Sequence, residues 1–280
     1  MIAPSGPFDR TLVFRGLGFL RQRYQVVFDR RIFERSGYLA GTDERRLAEL
    51  DSRLQDPTLD AVITARGGYG LTRIAHRADF SALRSAPKWL VGFSDATVLH
   101  LEALRVGVAS LHAHNVAGLG RGDEGTRAAF VAALEAPREK RVLSGLHSLQ
   151  PGVAKGPLVA ANLTLLFTAA AAGRLALPAG ALLAIEDVTE QAYRVDRMLT
   201  ALRTGGHLDA VAGVVAGEFT DCGPSHGVSV ADVLQSCLGD LGVPVATGLG
   251  FGHGRHNAPL PVGLPATLDA IAGTLTLEGY

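Results

Sequence analysis

The 280-residue sequence predicts an α/β protein built on parallel β-sheet, and three observations carry that prediction. Short β-rich runs alternate with stretches of helical period, the pattern of strand–helix units whose helices cover a parallel sheet. Glycine-rich turns follow the ends of such runs, as in Gly67-Gly-Tyr-Gly70. Hydrophobic residues make up 47% of the chain and charged residues 19%, which is enough apolar surface to close a sizeable core and too much for a disordered chain.

Asp60-Ala-Val-Ile-Thr-Ala-Arg66 reads as a buried strand, followed by the glycine loop and a helical stretch. Trp89-Leu-Val-Gly-Phe93 is a second strand that runs into a helix over 95–105, where Val98, Leu101 and Leu104 or Arg105 share a helical spacing. The alternation then stops. Residues 118–156 contain Gly120-Arg-Gly-Asp-Glu-Gly125 and Pro137-Arg-Glu-Lys-Arg141 and read as a polar crossover, with a short helix over 126–134. The division expected is an N-terminal domain over 1–118, a crossover linker over 119–155 and a C-terminal domain over 156–280.

In the second half, residues 163–177 are apolar and alanine-rich and are expected to form a buried helix. Ala181-Leu-Leu-Ala-Ile-Glu186 reads as a strand. Asp187-Val-Thr-Glu190 reads as a capped helix start, an acid with a glutamate three residues on. Ala192, Val195, Met198, Leu199 and Leu202 form that helix's apolar stripe, and Gly205-Gly206 ends it. A strand follows over 211–219, and the Gly- and Pro-rich stretch 247–263 is a shaped loop.

Lys plus Arg equals Asp plus Glu at 27 each. Zero net charge leaves no electrostatic footprint for nucleic acid or an anionic membrane, so neither partner is expected. The N-terminus lacks the basic-then-apolar pattern of a signal peptide, and no uninterrupted apolar run reaches about 18 residues. A cytoplasmic protein with Cys222 and Cys237 reduced is expected.

Several residues could carry chemistry. Ser94, in Gly92-Phe-Ser-Asp95, lies where a strand meets a helix, so its hydroxyl would stand above the sheet beside the Asp95 N–H and the helix N-terminus. That suits an acyl-transfer nucleophile, although Ala96 stands where a full Gly-x-Ser-x-Gly motif has glycine, and the same two residues could simply cap the helix. Gly67 and Gly68 could supply an oxyanion donor, cradle a phosphate, or only make a tight turn. Glu186, at a strand end, could orient a histidine or act as a cap. His253 lies between glycines and could project into a cleft or be an ordinary loop residue. His112-Ala-His114 has no third ligand at recognisable spacing, so no metal site is expected. Serine, acid and histidine in the order Ser94, Glu186, His253, each at a strand end or in a glycine-rich loop, are the wiring of a nucleophile, an orienter and a base.

The chain resembles the LD-carboxypeptidases, also called muramoyltetrapeptide carboxypeptidases, over nearly its whole length. The resemblance is carried by Gly37-Tyr-Leu-Ala-Gly-Thr-Asp-Glu-Arg45, Ala65-Arg-Gly-Gly-Tyr-Gly70, Pro87-Lys-Trp-Leu-Val-Gly-Phe-Ser-Asp95, Ile185-Glu-Asp-Val188 with Tyr193-Arg-Val-Asp-Arg-Met-Leu199, Gly213-Val-Val-Ala-Gly-Glu-Phe219, and Gly252-His253 with Asn257 and Pro261-Val-Gly263. It implies a parallel-sheet α/β N-terminal domain joined to a smaller β-rich C-terminal domain. It also implies a Ser94–Glu186–His253 triad, and oxyanion donors at Asp95 N–H and in the Gly67-Gly68 loop, with Gly68 preferred. No cofactor is implied. The implied reaction releases the C-terminal D-Ala of a murein tetrapeptide during cell-wall recycling, by a homodimer acting on a small muropeptide.

Two other functions are compatible with the sequence. One is a related self-immunity hydrolase acting on a peptide-nucleotide antibiotic. The other is a non-catalytic module that binds a muropeptide or a phosphate. Three motifs depart from the family pattern. Only Met1-Ile-Ala precede Pro4-Ser5, so a truncated edge of the sheet is expected; His112-Ala-His114 stands for His-Gly-Pro; and Ala160-Ala-Asn-Leu163 stands for Gly-Gly-Asn-Leu.

Overall fold

A computed structural model describes residues 1–279, which fall into two compact units of comparable length, one over 1–133 and the other over 134–279. Each is an α/β assembly, and the second carries the larger share of strand.

In the first unit, helix α1 (Arg10–Leu20) is capped by the Asp9 carboxylate, which accepts from Thr11 and Leu12 N–H. Helix α2 (Asp43–Gln55) is capped by the Thr42 hydroxyl, which accepts from Arg45 N–H. Both caps satisfy N–H groups that a helix start leaves without partners. Strands β1 (Ala61–Ile63), β2 (Trp89–Gly92) and β3 (Ser110–His112) pair in parallel in that order. The N-terminal segment adds one parallel bridge, Ile2 to Thr64. Strand pairing of β1 is shorter than the 60–66 run, because the chain turns into the glycine loop soon after Thr64.

Helices α3 (Ala82–Ser85), α4 (Thr97–Arg105), α5 (Val116–Arg121) and α6 (Glu124–Glu135) complete the unit, and the boundary between units falls inside α6. Leu50 and Leu54 of α2, Val62 of β1, Leu90 of β2 and Leu99 of α4 meet in one core with Ile2, Leu71 and Ile74. Each such side chain contributes about 2 kcal/mol by leaving water. This layer fixes the carboxyl ends of β1 and β2, where the Gly67 and Ser94 loops begin.

The second unit has an eight-stranded sheet. Its strands are β4 (Arg141–Ser144), β5 (His147–Gln150), β6 (Val153–Asn162), β7 (Ala181–Val188), β8 (Val211–Thr220), β9 (Val245–Thr247), β11 (Pro265–Asp269) and β12 (Thr274–Leu277), with β10 (Leu260–Val262) standing between β9 and β11 in the chain. The order across the sheet is β4-β12-β11-β6-β7-β8-β9-β5. The middle strands β6 to β9 are parallel and are linked by α7 (Leu163–Ala171), α8 (Ala192–Thr204) and α9 (Val230–Leu238). The outer pairs are antiparallel. Ala181 to Asp187 of β7 are all buried, as a strand covered on both faces requires. The stretch 119–155 contains α6, β4 and β5.

Two expectations are corrected here. The helix expected over 163–177 stops at Ala171, and only Leu163 and Leu166 are fully buried in it, so it is a half-exposed cover rather than a core helix. The alanines that follow Leu166 lie on a half-exposed face, and Gly173 then takes a positive φ of 65° just beyond the helix end. Asp187 does not cap the following helix. Strand β7 runs through Val188, α8 starts only at Ala192 after Gln191, and that start has no side-chain cap. The stripe of Ala192, Val195, Met198, Leu199 and Leu202 is buried as expected.

Candidate active site

Ser94 follows β2 after one extended residue, Phe93, and has a φ of +64°. A non-glycine residue seldom enters this left-handed region, and holding one there costs of order 1–3 kcal/mol. The strain aims the serine out of the strand direction before the chain winds into one tight turn, Ser94–Ala96, and then α4. Neither Ser94 nor Asp95 caps that helix: α4 begins after Ala96 with no side-chain cap bond.

The glycine loop approaches this turn at backbone distance. A Cβ on Gly67 would lie 2.8 Å from Ser94 Cβ and 3.0 Å from its Oγ, so a side chain cannot be accommodated there without a shift. Gly68 has a φ of +103°. Asp95 is fully buried, and its Oδ2 accepts the Leu71 N–H at 2.9 Å. Burial raises its pKa, opposed by hydrogen bonding and the nearby Arg46 charge.

Behind the turn, His100 holds the end of β2. Its Nε2 lies 2.9 Å from Gly92 O and its Nδ1 lies 2.8 Å from Ser110 Oγ. A carbonyl can only accept, so the proton is on Nε2 and Ser110 donates to Nδ1. Burial pushes the His100 pKa down to about 4, keeping the ring neutral. His112 and His114 pack edge-on against Phe93, at centroid distances of 6.0 and 5.7 Å. Among the described residues, no three His, Cys, Asp or Glu side chains are grouped as metal ligands.

In the second unit the polar residues gather at the carboxyl ends of β6 and β7, where parallel sheets usually bind ligands. Glu186 is fully buried, and its Oε2 lies 2.7 Å from His253 Nδ1. Its Oε1 accepts from Asn162 Nδ2 at 3.2 Å. Burial raises the Glu186 pKa; the hydrogen bond and charge of His253, and the Asn162 amide, work against that rise. A carboxylate on Nδ1 fixes the histidine tautomer with its proton on that atom and leaves the Nε2 lone pair as the basic site.

The His253 loop is held close to that carboxylate. Gly252 has a φ of +125°, and a Cβ there would come 2.9 Å from Glu186 Oε2. The Asn257 amide oxygen accepts the Gly252 N–H at 3.0 Å and so fixes the turn from the other side.

Asp187 serves a different helix from the one expected. Its Oδ2 accepts from Thr164 N–H at 3.0 Å and the Thr164 hydroxyl at 2.8 Å, at the first turn of α7. Its Oδ1 accepts from Asn162 Nδ2 at 3.0 Å. Both neighbouring acids are therefore buried, although alternation along a strand would turn them to opposite faces. The register of β7 against β8 shifts between Ile185 and Asp187, which interrupts the simple alternation there.

The structure thus brings Glu186 and His253 together in one unit and gathers Ser94, Asp95 and Gly67 in the other. Asn162 and Asn257 are the residues whose roles sequence reasoning missed. For Asn162 a signal existed: asparagine directly before an apolar helical run is an N-cap pattern, and it does cap α7 through Leu165 N–H while its amide holds both acids.

Residues 1–113 match the LD-carboxypeptidase N-terminal domain, and residues 155–268 match the LD-carboxypeptidase C-terminal domain. A Streptomyces coelicolor protein assigned to the carboxypeptidases is 42% identical over 99% of this chain and 92% of its own length. The murein tetrapeptide carboxypeptidase of Pseudomonas aeruginosa is 33% identical over 86% of this chain and 82% of its own. The crystal structure of muramoyltetrapeptide carboxypeptidase from Oxalobacter formigenes superposes with a TM-score of 0.90 at 31% identity, covering 100% of this chain and 98% of that one. A microcin C7 self-immunity protein bound to aspartyl sulfamoyl adenosine shares the fold, with a TM-score of 0.86 at 19% identity over 100% and 95% of the two chains. With both domain models matched and close relatives spanning nearly its whole length, the chain belongs to the LD-carboxypeptidase family.

Proposed function

We propose that the protein is a serine-type LD-carboxypeptidase that removes the C-terminal D-Ala of a murein tetrapeptide. The bond cut is the amide between an L-configured centre, that of diaminopimelate or lysine, and the D-residue. The observation that carries this reading is the 2.7 Å contact between His253 Nδ1 and the buried Glu186 carboxylate. It prepares a histidine as a base and orients it, a task a surface histidine has no need of.

In this mechanism His253 Nε2 takes the proton from Ser94 Oγ as the oxygen attacks the carbonyl. The Asp95 and Gly68 N–H groups stabilise the oxyanion, a contribution of about 3 kcal/mol per donor in comparable sites. His253 then protonates the leaving D-Ala amine, and water releases the acyl-enzyme by the same base. No step calls for a metal or an organic cofactor. The murein reading stands ahead of the antibiotic one because some of the relatives above 30% identity are named for murein substrates, whereas the self-immunity likeness at 19% concerns the fold alone.

The same reading places the protein in the cytoplasm as a homodimer. Cys222 and Cys237 are both free thiols, which suits a reducing compartment. Half-exposed apolar residues of α7, among them Leu165 and Phe167, offer a surface a second copy could cover. Mass spectrometry of products from a murein tetrapeptide and from a peptide-nucleotide antibiotic tests the substrate. The expected result is release of one D-Ala from the tetrapeptide, lost in Ser94→Ala; turnover of the antibiotic alone would overturn it.

A further inference from the structure

The mechanism uses only the backbone N–H of Asp95, yet the side chain of that residue is buried without exposure, an expensive place for a carboxylate. One of its oxygens, Oδ2, accepts the Leu71 N–H at 2.9 Å. The other, Oδ1, makes no hydrogen bond of good geometry among the described residues, although the Ser5 hydroxyl and the Gly70 N–H lie near enough to favour the charged carboxylate. A carboxylate so placed adds little to stability, and a small apolar residue would fill the space at less cost.

The partner of Asp95 explains its presence. Leu71 closes the glycine loop, and the loop is tied at both ends. At its start, Gly67 O accepts the Gly6 N–H at 3.3 Å. At its end, Gly70 O accepts from Arg46 Nη1 at 2.9 Å, and Leu71 N–H goes to Asp95. Arg46 is itself fully buried; it also donates to Pro4 O and pairs with Asp43. Asp43 is gripped from outside by Arg73, with Nη2 to Oδ2 at 2.7 Å. The peptide groups of Gly68 and Tyr69 lie between these fixed ends.

We propose that the Asp95 side chain, backed by Arg46, is a positioning clamp that sets the spacing between the two oxyanion donors of the first unit. The inference rests on the serine-hydrolase reading above. Asp95 is covalently next to Ser94, so a hydrogen bond from its carboxylate to Leu71 makes the glycine loop and the nucleophile turn move as one body. The Asp95 N–H and the Gly68 N–H then keep their separation while charge develops on the substrate oxygen. Donors fixed in advance spend nothing on reorganisation at the moment of reaction, and a donor misplaced by about 1 Å can cost on the order of 100-fold in rate.

The test compares Asp95→Ala with Asp95→Asn. Both keep the backbone N–H, but only asparagine retains an oxygen that can accept the Leu71 N–H. On a murein tetrapeptide, Asp95→Ala is expected to lower kcat by about 100-fold or more with KM within about threefold, because the loss falls on the transition state. Asp95→Asn should recover to within about tenfold of wild type. A merely structural residue would lower the folded fraction and leave kcat per folded molecule unchanged, so activity is normalised to Ser94 titrated with a fluorophosphonate.

If Asp95→Ala does not fold, Asp43→Asn, which loosens Arg46 from the periphery, is expected to lower kcat by a few-fold. An Asp95→Ala kcat within about threefold of wild type, equal losses in the alanine and asparagine variants, or an unchanged Asp43→Asn would overturn the clamp. A wild-type protein that leaves the peptide intact would overturn the substrate reading instead. The clamp is then judged on the rate of fluorophosphonate attachment to Ser94, with the same ordering of variants expected.

Discussion

The two units prepare their halves of the proposed chemistry by different means. Around Ser94 the work is done by backbone: a positive φ at the serine, a glycine loop at van der Waals distance, and N–H groups aimed by the turn. Around His253 it is done by side chains: the Glu186 carboxylate on the ring, with the Asn162 amide behind it. A nucleophile needs fixed partial charges where an oxyanion forms, and backbone supplies them without titrating. A base needs a group whose charge responds to the proton it takes, which only a side chain provides. Substitutions should therefore fail differently in the two regions. Changing a charge without changing shape should injure the second unit, and adding bulk without changing charge should injure the first.

The largest effect is expected from Glu186→Gln, which keeps volume and removes charge. Loss of the orienting carboxylate in such a triad can cost on the order of 10⁴-fold in kcat with geometry nearly unchanged. Turnover of the tetrapeptide and melting temperature, measured together, check it. A variant within about tenfold of wild type would break the comparison on the side-chain half.

Next comes Gly67→Ala, which keeps charge and adds one methyl. Its Cβ would fall 2.8 Å from Ser94 Cβ, so the loop must retreat from the serine. A retreat of about 1 Å is expected to cost on the order of 100-fold in kcat. An unchanged rate would show that the close approach is packing only.

The third effect is on stability. His100 has its pKa lowered from an ordinary 6.5 to about 4, so the folded protein refuses a proton that the unfolded chain binds. The stabilisation is complete above about pH 6.5 and is lost as pH falls from there towards 4, by on the order of 3 kcal/mol. His114, also lowered to about 4 by burial, acts in the same direction. Urea midpoints at neutral pH and near pH 4.5 should separate strongly in the wild type and less in His100→Gln. Equal slopes would remove His100 as the cause.

The smallest effect is expected from Asp187→Asn. It disturbs the hydrogen bonds to Thr164 at the α7 N-terminus, and a loss of about 1 kcal/mol in stability is expected, with much of the activity kept. Thermal denaturation beside turnover measures it, and loss of activity comparable with that of Glu186→Gln would exchange the roles of the two acids.

The same contrast explains what could be read in the sequence. The α/β class followed from local period, and the α8 stripe emerged buried residue for residue, because a helix face repeats within a few residues. The two strand ends carrying Ser94 and Glu186 were legible because short apolar runs stop there. Asp187 was misread because the helix it serves precedes it in the chain by about one strand–helix unit; a carboxylate a few residues ahead of an apolar stripe looks like that helix's cap until the sheet places another helix beside it. Helix α7 was overdrawn because the apolar, alanine-rich run 163–177 carries helical propensity on both sides of Gly173, the glycine at positive φ that lies just past the helix end. The burial of Arg46 and of Asp95 left no local signal, since charged residues are ordinarily exposed and only the tertiary fold shows these two side chains closed in.

In the proposed chemistry Ser94 is the nucleophile and His253, held by Glu186, activates it. Peptide mapping after reaction with a fluorophosphonate addresses both parts at once. The account expects a single adduct on Ser94, formed at least about 1,000-fold more slowly in His253→Ala and strongly slowed in Glu186→Gln. An adduct on another serine, or Ser94 labelled at the wild-type rate in both variants, would contradict it.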